Sequence, residues 1–258
     1  MTRVSLFPPE VRLRQADPRT ISGELYPAER ALVAAACEAR RREFRAGRLL
    51  AKGLLEEMGI FGFPILMGDR REPLWPAMVC GSITHLSDIC LVAVVEKSKI
   101  FGIGLDVART REVNANIWPT FLTEGELQWV RSLPPPVAQR YAAMMFSAKE
   151  TLFKCLYPVV RMWIDFKDVR ISTAAAYRQF RRGRFTHILE EDELLHGDTP
   201  FEAEFLVEKG DMIPRGFKIS GVYRFDGPYV FTAMTLSRQH APLPRMKMPE
   251  TTRQEDMA

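Results

Sequence analysis

Hydrophobic positions fall in short runs separated by Gly, Pro and charged turns, and the most continuous run sets the frame. Ile89-Cys90-Leu91-Val92-Ala93-Val94-Val95 is unbroken and rich in β-branched residues, which predicts a strand. Similar apolar runs at Val79–Thr84 and Ile100–Val107 flank it across tight turns, so the three together predict an antiparallel meander. Further β patterns follow at Val169–Thr173, Phe185–Leu189, Phe201–Val207, Phe217–Phe225 and Tyr229–Leu236, with Asp226-Gly227 as the turn between the last two. Helical patterns precede both groups. Tyr26-Pro27 opens a helix that the pattern carries to Gly59, long enough to suggest a break near Gly47 or Gly53. After Pro134-Pro135-Pro136, residues Val137–Leu156 contain neither Gly nor Pro and predict a second long helix, stopped at Tyr157-Pro158. Thr123-Glu124-Gly125-Glu126 is a capping box opening a short helix that ends near Leu133.

A helix followed by short strands thus occurs twice, and the expected class is α+β in two related halves meeting near Asp106. Residues 1–26 read as an irregular or short-strand lead-in, and the proline-bearing tail 241–258 as disordered. With 258 residues and 47% hydrophobic content the chain can bury a substantial core. No stretch approaches the roughly 18 apolar residues of a membrane span. The start, Met1-Thr2-Arg3-Val4-Ser5-Leu6, lacks a signal-peptide core, and a cytoplasmic location is expected. Cys37, Cys80, Cys90 and Cys155 form no C-x-x-C and read as buried thiols, and the histidines form no metal motif. A net charge of +4 suits an anionic ligand, an acidic partner or nucleic acid. The charge is concentrated at Arg40, Arg41, Arg42, Arg45 and Arg48, and again at Arg181, Arg182 and Arg184.

The chemistry-bearing stretch is Phe146-Ser147-Ala148-Lys149-Glu150-Thr151-Leu152-Phe153-Lys154. On a helix Glu150 and Lys154 are i, i+4 neighbours, with Lys149 beside them at the margin of a broad apolar sector. A carboxylate next to two ammonium groups can hold a divalent cation while the lysines meet a phosphorylated ligand. The plainer reading is a solvated Glu–Lys pair. A second carboxylate, Asp106, closes the strand-like run Gly102-Ile103-Gly104-Leu105-Asp106-Val107, where burial of an acid is costly unless it binds something. Ser82-Ile83-Thr84-His85 precedes the central strand.

In this order and spacing the three segments resemble those of the phosphopantetheinyl transferases of the surfactin and enterobactin type. That family has a Ser-x-x-His, a Gly-Ile-Asp at a strand end, and a Trp/Phe-Ser/Cys-x-Lys-Glu-x-x-x-Lys helix. The resemblance runs from about Arg40 to Tyr157. It implies two similar α/β halves related by pseudo-twofold symmetry, each a small, mostly antiparallel sheet on a long helix. The halves would span residues 1–105 on the coenzyme A nucleotide side and 106–240 with the metal and the Lys-Glu helix. It implies transfer of 4'-phosphopantetheine from coenzyme A to a serine of an acyl, peptidyl or aryl carrier protein by a monomer. Mg2+, for which Mn2+ can substitute, would be held by Asp106 and Glu150. Glu150 and Lys154 would carry catalysis, while Arg40, Arg48, Arg70, Thr84, His85, Lys149 and Lys154 would bind coenzyme A. Arg40 and Arg41 are both placed to match the family's Arg-x-x-Glu-Phe-x-x-x-Arg segment. Two departures stand out: Ala108 replaces the Glu of the usual Gly-Ile-Asp-x-Glu, and Arg71 replaces a Gly in the Gly68–Pro73 loop. The first leaves open a weakened, carrier-binding member. A nucleic-acid module built on the arginine clusters is the rival of another class, and it leaves Asp106 and Glu150 unexplained.

Overall fold

The computed structural model describes residues 6–173 and 198–237. The expected strand Phe185–Leu189, the cluster Arg181, Arg182 and Arg184, and the tail 241–258 lie outside the described residues. In chain order the elements are β1 (Arg12–Ala16), α1 (Pro27–Ala31), α2 (Glu38–Glu57), β2 (Leu66–Met67), β3 (Pro73–Leu74), β4 (Val79–His85), β5 (Cys90–Glu96) and β6 (Gly102–Arg109). Then come α3 (Trp118–Phe121), α4 (Glu124–Arg131), α5 (Pro135–Val160), β7 (Val169–Thr173), β8 (Thr199–Phe205), β9 (Lys218–Asp226) and β10 (Tyr229–Leu236). The protein is α+β, with antiparallel sheets and helices packed on them.

One sheet has the order β1-β5-β4 and the other β6-β10-β9-β8-β7, beside a two-stranded β2-β3 hairpin. The expected meander is therefore corrected: β6 pairs with β10, not with β5, because its register along β10 runs unbroken from Gly102–Leu236 to Arg109–Tyr229. Strand pairing puts β1, β4 and β5 in one sheet and β6 to β10 in the other.

β5 is buried on both faces, which is why it reads as an uninterrupted apolar run. Cys90, Val92 and Val94 meet Leu50, Ala51 and Leu54 of α2, while Leu91, Ala93 and Val95 join Ile103, Leu105 and Val107 of β6. Alternate residues of β6 turn toward α5, so the core is layered helix, sheet, sheet, helix.

The long first helix breaks over residues 32–37, with Val33 buried in the turn, and not at Gly47 or Gly53. Gly47 serves close packing, since a Cβ there would stand 2.9 Å from Ile83, whereas one on Gly53 would meet only the movable Arg14 guanidinium. Pro158 does not stop α5 as expected. Near a helix end its missing N–H forfeits one bond, and burial of Tyr157 and Val160 holds the last turn. The helix stops at Arg161, left-handed at φ 56, whose N–H reaches Tyr157 O at 2.8 Å.

Candidate active site

The two sheets meet at a seam between β4 and β6 that has no backbone ladder. Side chains two residues apart on β4 replace it. The Cys80 thiol donates to Phe101 O at 2.9 Å, and the Ser82 hydroxyl accepts from Leu105 N at 3.0 Å. The Thr84 hydroxyl accepts from Val107 N at 3.2 Å and donates to Asp106 Oδ1 at 3.1 Å. Thr84, expected as a coenzyme A contact, is thus a buried rung of the seam.

On the other side of β6, Gly102 and Gly104 let α5 lie directly on the strand. A Cβ on Gly104 would come within 2.0 Å of Thr151 O, and one on Gly102 within 2.5 Å of Cys155 O. This close approach brings Ser147, Glu150 and Lys154 of α5 to Asp106. The Asp106 carboxylate accepts from Lys154 Nζ on Oδ1 at 2.7 Å and from Ser147 Oγ on Oδ2 at 2.8 Å. Ser147 in turn shares a 2.8 Å hydrogen bond with the Thr232 hydroxyl. Ser147 and Thr232 were not identified from sequence as site residues. Ser147 lay in the decisive stretch, but only the fold reveals what it holds.

Glu150 accepts no hydrogen bond from any described residue. Burial raises its pKa, Lys154 opposes the rise and the nearby Asp106 charge adds to it. A half-buried carboxylate beside a second one is relieved by a hard cation, so the donor set fits Mg2+. The fit is limited to two carboxylates: among the described residues no group of three His, Cys, Asp or Glu side chains could hold a metal. Ala108, on the same face of β6 as Asp106, is packed into the apolar cluster beside α5.

At the end of β4, His85 Nε2 accepts from Arg40 Nη1 at 2.6 Å, and its Nδ1 lies 3.3 Å from Glu43 Oε2. Burial, reinforced by the charges of Arg40, Lys154 and Arg48, lowers the imidazole pKa to about 4. The ring is neutral among cations, the electrostatics of a place for an anion. Arg40 is therefore the arginine that turns inward, whereas Arg41 stays exposed beside Glu38.

Two other expected ligands of coenzyme A do structural work. Arg48 is buried, donates from Nε to Ile65 O at 2.8 Å and lies 4.3 Å from the Phe44 ring centre. Desolvation lowers its pKa to about 10. Lys149 has its ammonium buried and saturated by Phe121 O, Glu126 Oε2 and Phe166 O at 2.8, 2.7 and 2.9 Å. Burial lowers its pKa, against the pull of Glu126. Glu126, the capping-box acid, also accepts from Thr123 N and Ile171 N, so one carboxylate joins α4, α5 and β7. Arg70 is exposed, 5.4 Å from the Trp163 ring centre, on the rim of a cavity of about 230 Å³ that Glu150 and Phe153 also line. Its neighbour Arg71 has φ 65, the left-handed backbone that a glycine would take without strain.

Two carboxylates, Asp106 and Glu150, thus converge beside a cluster of cations at the seam between two sheets, a donor set that suits a phosphorylated ligand with a divalent metal. Comparison with known proteins agrees with that class. Residues 28–95 match the 4'-phosphopantetheinyl transferase N-terminal domain, and residues 102–211 match the 4'-phosphopantetheinyl transferase superfamily. A 4'-phosphopantetheinyl transferase of Mycobacterium tuberculosis is 30% identical over 189 residues, 71% of this chain and 82% of that protein. One from Nocardia iowensis is 28% identical over 191 residues, covering 72% and 85%. Enterobactin synthase component D of Salmonella typhimurium is 35% identical over 139 residues, covering 53% and 56%. The chain belongs to the 4'-phosphopantetheinyl transferases.

Proposed function

We propose that this chain transfers 4'-phosphopantetheine from coenzyme A to a serine of a carrier protein in a magnesium-dependent reaction centred on Asp106 and Glu150. The observation that carries the reading is the convergence of Asp106, Glu150 and Lys154 at the contact of β6 with α5, next to the cationic pocket around His85. The carrier serine oxygen forms a bond to the β-phosphorus, its proton passes to Glu150, and the bond to the α-phosphate oxygen breaks to release 3',5'-ADP. Burial that raises the Glu150 pKa suits it to take that proton. Lys154 offsets negative charge growing on the diphosphate, while Arg40, His85 and Arg70 hold the nucleotide. Asp106 and Glu150 would hold Mg2+, which supplies charge neutralisation at the diphosphate when bound.

The finer readings rest on the same frame. The halves are related by a pseudo-twofold axis, a view supported by a long helix on an antiparallel sheet in each. The protein works as a monomer in the cytoplasm, where four free thiols and a nucleotide substrate are at home. Among the described residues no helix is long and apolar enough to cross a membrane. Glu150→Gln tests the assignment. It is expected to keep the fold and abolish transfer, and near-normal turnover would remove Glu150 from the chemistry.

A further inference from the structure

We propose that Asp88, Arg109 and Tyr229 form a clasp that positions the two ends of the substrate for transfer. Arg109 Nη2 stands 2.6 Å from Asp88 Oδ1, and the Tyr229 hydroxyl donates to Asp88 Oδ2 at 2.6 Å. Arg109 also donates to Ser87 Oγ at 3.2 Å and to Glu112 Oε1 at 2.8 Å, with its guanidinium 5.9 Å from the Tyr229 ring centre. Burial alone would raise the Asp88 pKa, but Tyr229 and Arg109 outweigh it and hold the carboxylate ionised. None of these groups has a part in the chemistry described above.

Their leverage comes from where they sit. Asp88 lies three residues beyond His85 in the tight turn between β4 and β5, and Arg109 three residues beyond Asp106 on β6, about 10 Å along the extended strand. Tyr229 is the cross-strand partner of Arg109 on β10. The clasp therefore closes the seam at the end where the nucleotide-holding strand and the carboxylate-bearing strand run out together. Elsewhere on that seam the rungs are single side chains, Cys80, Ser82 and Thr84, in place of a ladder. Side-chain rungs rotate and do not fix register as backbone pairs do. An ion pair from Arg109 to one oxygen of Asp88, with the Tyr229 hydroxyl on the other, ties both strands to a single carboxylate and restrains it. The clasp holds His85 and Asp106 at one separation, and so sets where the reacting phosphorus lies when the nucleotide is bound.

The inference rests on the reading that Arg40 and His85 hold the nucleotide while Asp106 and Glu150 face the phosphorus. Its test compares Asp88→Ala, Asp88→Asn and Tyr229→Phe with the unaltered enzyme. The readouts are kcat and KM for coenzyme A, the Kd of 3',5'-ADP and the thermal midpoint. Loss of alignment without loss of either binding half lowers kcat by about 10- to 100-fold in Asp88→Ala and leaves the 3',5'-ADP Kd within about twofold. Asp88→Asn, which still accepts from Tyr229, falls between. Tyr229→Phe removes one O–H and no ring volume, and carries the test if Asp88→Ala loses its fold. Unchanged kcat in a folded variant overturns the clasp, as does a parallel loss of kcat and 3',5'-ADP affinity, which marks a general structural role. Arg40→Ala separates this from failure of the underlying reading: unchanged 3',5'-ADP binding there removes the nucleotide assignment, whatever Asp88 does.

Discussion

Arg71 and His85 show how much chemistry a single backbone angle or ring nitrogen carries. Arg71 holds φ 65 in the loop beside the cleft, which costs a non-glycine residue about 1 kcal/mol. Arg71→Gly is expected to raise the thermal midpoint by about 2–4 °C, and a fall in a differential scanning measurement would contradict that strain. His85 makes a prediction about pH. Its pKa in the folded protein, about 4, lies below the ordinary value, so the unfolded chain binds the proton first as pH drops. The stability carried by the neutral ring is intact above about pH 6.5 and is lost progressively as pH falls toward 4, by up to about 3 kcal/mol. Coenzyme A, by placing negative charge among Arg40, Arg48 and Lys154, is expected to raise that pKa. An NMR titration of the ring with and without coenzyme A checks both statements, and an unshifted value with the ligand would move the anion elsewhere.

At the scale of elements, the joints that hold the site are a pair of glycines and a buried ion pair. Gly104→Ala drives a methyl into Thr151 O and pushes α5 off β6, with an expected cost of about 3 kcal/mol and loss of transfer. Gly125→Ala on α4, with nothing within 4 Å, is the control and should be neutral or stabilising in the same melts. Lys149→Met strands Glu126 among α4, α5 and β7 and is expected to cost about 3–5 kcal/mol. Chemical denaturation decides it: unchanged stability with a raised KM for coenzyme A would return Lys149 to the ligand. These joints also mark what was legible beforehand. β7, β10 and the capping box could be read from local pattern, because turn chemistry and alternation are local. The pairing of β6 with β10, the destination of Lys149 and the hydroxyls on Asp106 could not. Each depends on contacts between residues from 17 to more than a hundred positions apart. Asp106, Glu150 and Lys154 were nameable from ordered motifs, whereas choosing Arg40 over Arg41 needed the position of His85.

For the whole molecule, the arrangement amounts to two sheets sewn together along β4 and β6, with the proposed nucleotide-holding groups on one side of the seam and the proposed reacting groups on the other. Neither sheet holds the site alone: His85 and Arg40 come from the first half, Asp106, Glu150 and Lys154 from the second. The central claim is that this composite site moves phosphopantetheine onto a carrier serine. Its most direct test is intact mass spectrometry of apo carrier proteins incubated with the enzyme, coenzyme A and Mg2+, beside samples with chelator and with Glu150→Gln. The account predicts a carrier heavier by one phosphopantetheine group with the unaltered enzyme and Mg2+, and unchanged mass in the other two. A gain that persists with chelator or with Glu150→Gln, or no gain on any carrier with the folded, unaltered enzyme, would contradict it.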